Sequence, residues 1–155
     1  MSVYLAMRRP GEDFDRPGSL DDRLSIGDGV ARGIVTSVAS DGAILVAWSE
    51  RIAGRERVFL ATLAPSAPRS EALVEELSSP EADADSPALA LSGSNLAIVF
   101  VERASTDRVV LRRGDVRETI AEGSDLAAPG IAYENGRVAL AWIDGRQPVF
   151  AATPR

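Results

Sequence analysis

Residues 41–51 read DGAILVAWSER, residues 93–103 read GSNLAIVFVER, and residues 135–146 read NGRVALAWIDGR. Each is a turn, an apolar run with a large aromatic at or near its end, and then an acid with an arginine close behind. Aligned without gaps, Trp48, Phe100 and Trp142 share one column. Self-similarity at a period of about 40–50 residues marks a repeat architecture, so the fold is read from the unit.

The alignment extends both ways. Upstream, VTSVASDGA (35–43), PALALSGSN (87–95) and PGIAYENGR (129–137) fall in step. Downstream, RVFLAT (57–62), RVVLRR (108–113) and PVFAAT (148–153) match, and SVYLAMRR (2–9) joins the same column. The first strand of each unit ends in Asp41-Gly42, Ser92-Gly93-Ser94 or Asn135-Gly136. Asp-Gly and Asn-Gly suit a tight hairpin because both central positions take positive φ. The second strand is AILVAW, LAIVF or VALAW, apolar on both faces and so covered on both sides. The third is RVFLAT, RVVLRR or PVFAAT. A fourth is read in LVEELS, in RETIAE and in the region from Phe14 to Leu24. EALVEELS also fits one helical turn, with Leu73 and Leu77 at i, i+4; its place in the repeat favours a strand.

An antiparallel four-stranded unit of about 40–50 residues describes a β-propeller blade. The expected fold is all-β: a partial β-propeller of about three four-stranded antiparallel blades. Residues 1–30 hold incomplete blade strands, 31–79 and 80–124 one blade each, and 125–155 an incomplete blade. A β-sandwich is the competing architecture. Three units do not close a ring, because propellers carry about four to eight blades. The chain is therefore expected to be a segment of a longer propeller, or to meet a second copy that closes the ring. The segment is favoured, because the first and last strands are of one type and compete for one slot in a pair.

Composition narrows the chemistry. The 155 residues suit one domain, and 45% hydrophobic with 26% charged residues suits a packed core. The net charge of −6 offers no basic excess for a nucleic-acid backbone. There is no Cys and no His, and all 17 basic residues are Arg. This excludes thiolate and imidazole catalysis, zinc–thiolate sites, Schiff bases and the phosphate-loop lysine. The longest apolar runs are about six residues, far short of a membrane span. The opening MSVYLAMRRPGEDFD turns polar too early for a signal peptide. The absence of Cys suits the cytoplasm or a bacterial secreted protein without disulfides.

The units resemble the repeats of bacterial sialidase-like (neuraminidase-like) propellers. The matching residues are Asp41-Gly42 through Trp48, Arg57-Val58-Phe59, and Phe14-Asp15-Arg16-Pro17-Gly18-Ser19-Leu20. The Ser-x-Asp-x-Gly-x-x-Trp box of that family is absent; Ser40-Asp41-Gly42 stands at a different spacing from Trp48. The resemblance implies a secreted or cell-surface setting in a bacterium. It also implies a non-catalytic binding or scaffold module with a glycan or protein ligand. The alternative is a segment of a sialidase-type glycoside hydrolase whose catalytic residues lie partly outside these residues. That chemistry uses Tyr, Glu, Asp and Arg, but Tyr4 and Tyr133, the two tyrosines, have no motif around them.

The candidate ligand-binding rim is the loop set 49–57, 102–108 and 144–148, expected at one end of the blades. Its residues are Glu50, Arg51, Arg57, Glu102, Arg103, Arg108, Asp144 and Arg146. Arg holds carboxylates bidentately, and Glu or Asp can move protons. The same residues read equally as ion pairs that set blade register. Recurrence in every unit favours that reading, since a catalytic residue is usually unique. The blade-to-blade loops are read as 25–33, 80–87 and 122–129. Glu81, Asp83 and Asp85 alternate there, but lack the glycine of a calcium loop. The acidic GEDFD (11–15) is a weaker version of the same pattern. No metal, cofactor or catalytic residue is assigned.

Overall fold

The computed structural model describes residues 2–4, 23–26 and 29–153. The acidic GEDFD and the part of the expected fourth strand from Phe14 to Asp22 therefore lie outside the described residues.

The first sheet comprises β1 (Arg32–Val38), β2 (Ile44–Ile52), β3 (Arg55–Leu63) and β4 (Leu73–Glu76). The second comprises β5 (Asp83–Ser92), β6 (Asn95–Arg103), β7 (Asp107–Arg113) and β8 (Val116–Gly123). The third comprises β9 (Leu126–Glu134), β10 (Arg137–Asp144) and β11 (Gln147–Ala152). Each sheet is an antiparallel meander in chain order, and none closes on itself. The fold is thus all-β, and LVEELS contributes a strand rather than a helical turn.

Local chemistry sets the hairpins. Asn135 and Gly136 both have positive φ (48° and 77°), as a two-residue type I′ turn needs. In the turn between β5 and β6, Ser92 pairs with Asn95, and only Gly93 is positive, the pattern of a II′ turn.

The first strands begin earlier than the sequence reading placed them. Segments 80–87 and 122–129 were expected as loops, yet β5 starts at Asp83 and β9 at Leu126. The reason is a repeated bulge. Gly33, Ser86 and Ala128 have positive φ at matching places, each beside an interruption of pairing with the second strand. Pro87 and Pro129 follow directly, where an edge strand with a bulge tolerates the missing N–H. The bulge breaks the alternating pattern, so the segment reads as loop.

The sheets stack face to face in chain order. β5 lies across β1, β2 and β3, and β9 lies across β5, β6 and β7. Between the first two sheets, Leu45, Ala47, Val58 and Leu60 meet Ile98, Phe100 and Val110. Between the second and third, Val99, Val101 and Leu111 meet Leu126, Leu140 and Trp142. On the outer side of the first sheet, Val3, Leu24 and Ala31 cover Val46, Trp48 and Phe59. The aromatic of each second strand therefore always faces the unit before it. Trp48 also stacks on Phe59, with ring centroids 5.6 Å apart and planes at 28°. Truncating any of these aromatics to Ala costs about 3–5 kcal/mol. Among the described residues, no helix is long and apolar enough to cross a membrane.

Candidate functional site

Hydrogen bonds between sheets fix which connections share an end. At one end, Ser40 N donates to Gly93 O (3.4 Å) and Asn135 N donates to Ser92 Oγ (2.9 Å). The turns after β1, β5 and β9 thus lie together. At the other end, Glu56 N donates to Asp83 Oδ1 (2.8 Å) and Leu126 N donates to Asp107 Oδ2 (3.2 Å). This end carries the loops after β2, β6 and β10; of the eight sequence candidates only Arg146 lies in a loop, and the other seven lie in the adjoining strand ends.

The two glutamates are not at a solvent-facing rim. Glu50 is 0% exposed and Glu102 is 3% exposed. Both lie within strands, since β2 runs on to Ile52 and β6 to Arg103. Glu50 Oε2 accepts from Ile26 N and from Trp48 Nε1, each at 3.2 Å. Glu102 Oε1 accepts from Ser79 N at 2.6 Å, and Oε2 from Ser79 Oγ at 3.4 Å. Arg117 reaches along β8 to pair with Glu102, and its guanidinium lies 6.0 Å from the Phe100 ring centroid. Both carboxylates thus face the unit before their own and take a backbone N–H from its last segment. A buried carboxylate persists only with such donors, because bare burial of its charge is costly.

The arginines are engaged too. Arg51 donates to Gly54 O (3.1 Å) across its own hairpin. Arg57 pairs with Glu76 (2.6 Å) and Arg108 with Glu122 (3.1 Å), the same bridge between third and fourth strands in both complete sheets. Arg103 bonds Asp85 (2.8 Å) and Asp107 (2.9 Å). The bond from Asp85 raises its pKa above the ordinary arginine value; burial opposes this, and the charges of Asp85 and Asp107 add to it. Asp83 and Asp85 from the acidic alternation are thereby occupied by Glu56 N and Arg103.

The third unit departs from this pattern. Asp144 stands where the others have glutamate, one methylene shorter, and it is exposed, as is Arg146. Trp142 Nε1 is buried without a hydrogen-bond partner among the described residues, whereas Trp48 Nε1 has Glu50.

A cleft of about 610 Å³ opens at the opposite end, beside the β7–β8 turn. Leu60, Leu77 and Leu96 help form its apolar part, and Asn95, Arg112 and Tyr133 are among its polar groups. Arg112 is held by Glu75 (2.9 Å) and by Gly114 O (2.9 Å). None of these residues is among the sequence candidates; Tyr133 has no motif around it in the sequence. The only signal was the pair Arg112-Arg113 before the Gly114-Asp115 turn.

No known protein family, curated protein or solved structure matches this chain.

Proposed function

We propose that the three stacked meanders are blades of a partial propeller of the sialidase-like kind, and that the chain is a non-catalytic scaffold or binding module. One observation carries this reading. The acids most suggestive of chemistry, Glu50 and Glu102, hold the last segment of the preceding unit by its backbone N–H groups. A general acid or base must reach a substrate proton, and these carboxylates face protein instead. Binding then falls to what is left open: Asp144 and Arg146 at the loop end, and the cleft with Asn95, Arg112 and Tyr133 at the turn end. The cleft offers the mixed polar and aromatic groups that suit a glycan or a protein loop, and the loop end offers an exposed acid and guanidinium.

Two assays test the reading. A fluorogenic sialoside is expected to show no turnover; turnover lost in Tyr133→Phe would refute the non-catalytic assignment. On a glycan array, binding lost in Arg112→Ala or Asp144→Ala but kept in Arg108→Ala is the expected result for a glycan ligand.

A further inference from the structure

The two ends of the stack are incomplete in complementary ways. At the N-terminal end, Ser2–Tyr4 and Arg23–Ile26 form a two-stranded pair through the Tyr4–Arg23 bridge. The bonds of this pair repeat those between β3 and the segment after β4. Leu24 N donates to Val3 O (2.9 Å) as Leu77 N donates to Val58 O (2.8 Å). Val3 N donates to Ser25 Oγ (3.3 Å) as Val58 N donates to Ser78 Oγ (3.2 Å). Ile26 N meets Glu50 as Ser79 N meets Glu102. Among the described residues, the pair is thus a third and fourth strand without a first and second. At the other end, β9, β10 and β11 are a first, second and third strand without a fourth among the described residues.

The missing parts leave matching apolar surfaces. On the first sheet the pair covers Trp48 and Phe59, but Ile34 and Val38 of β1 stay 44% and 64% exposed. A first and second strand stacked there would cover them, as β1 and its neighbours cover Leu89 and Leu91 of β5. On the third sheet, Ala139 and Phe150 are exposed and Ala141 and Ile143 half-buried, whereas the matching Ala47 and Val99 are fully covered.

We propose that a second copy of this chain supplies the missing halves. β9 and β10 of one copy join the N-terminal pair of the other, with β10 beside Ser2–Tyr4 as β2 lies beside β3. Two such junctions related by a two-fold axis close a ring of six units, within the range of about four to eight blades. The inference rests on the propeller reading above. β11 holds the third place in the single chain and yields it in the pair. Pro148 marks β11 as a terminal strand: it matches Val58 and Val3, whose N–H groups bond toward the fourth strand, and proline has none.

Light scattering on the purified chain is expected to give twice 16.4 kDa. Val38→Asp and Ala141→Asp, both outside the core of the single chain, are each expected to weaken the pair at least about tenfold with an unchanged circular dichroism spectrum. Residue 3 of one copy faces residue 143 of the other, at a ladder distance of about 4.5–5.5 Å that a disulfide spans. The chain has no Cys, so mixing Val3→Cys with Ile143→Cys is expected to yield a crosslinked heterodimer, and neither variant alone a crosslink. A monomer, or a pair that survives both aspartate variants and forms no crosslink, overturns the inference. A monomer in which Ser40→Cys and Ser94→Cys still link within one chain overturns the second copy alone and leaves the stacked sheets standing.

Discussion

Replacing Glu102 distinguishes a structural tie from a ligand group. In Glu102→Ala, Ser79 N loses an acceptor at 2.6 Å, and Arg117 loses the carboxylate it pairs with beside Phe100. Breaking a buried ion pair by removing one partner costs about 3–5 kcal/mol. The Arg117 side chain is 37% exposed and can turn to solvent, so the lower end of that range applies, about 3 kcal/mol. For a chain of this size each kcal/mol moves Tm by about 2–4 °C, giving a fall of about 6–12 °C. Glu102→Gln keeps one oxygen for Ser79 N and is expected to lose about half as much. Arg108→Ala removes a bridge whose side chains are 47% and 57% exposed, and should change stability by less than about 0.5 kcal/mol. Urea unfolding followed by circular dichroism measures all three. If Glu102→Ala is as stable as the wild type, or more stable, the reasoning fails. Groups held for function commonly gain stability on removal.

Other changes test other parts of the stack. Asp144→Glu restores the reach of Glu50 and is expected to satisfy Trp142 Nε1, adding about 0.5–1.5 kcal/mol; a Tm that is unchanged or lower speaks against this. A Cβ at Gly29 would overlap the Arg51 carbonyl oxygen, so Gly29→Ala is expected to cost about 1–3 kcal/mol in the same unfolding assay. Arg103 has a raised pKa, so its contribution is complete below the ordinary arginine value and is lost only as pH climbs past the raised one. The stability gap between wild type and Arg103→Gln should therefore contain no arginine titration between about pH 7 and pH 10; a gap that closes across that window refutes the sign.

The hairpins and second strands were legible because their signals are local. Asn135-Gly136 names its own turn, and AILVAW announces burial on both faces. The starts of β5 and β9 were not legible, since a bulge at Ser86 or Ala128 interrupts the alternation by which a strand is recognised. The eight candidate residues could be grouped at one end from strand order alone. The burial of Glu50 and Glu102 could not be read, because a charged residue after an apolar run resembles the start of a loop. What makes their burial tolerable is a donor 24 or 23 residues away, at Ile26 or Ser79. The terminal half-units were visible as a repeated strand type, but the bonds that identify the N-terminal pair as a third and fourth strand are tertiary.

The central claim is that consecutive meanders stack face to face with their first turns at one end. It is tested most directly by Ser40→Cys with Ser94→Cys, whose native Oγ atoms lie 3.2 Å apart across two sheets. In this Cys-free chain the pair is expected to close a disulfide under mild oxidation. Ser40→Cys with Ser105→Cys, at opposite ends, is expected to stay reduced. Failure of the first pair to link, or linkage of the second, contradicts the stacking.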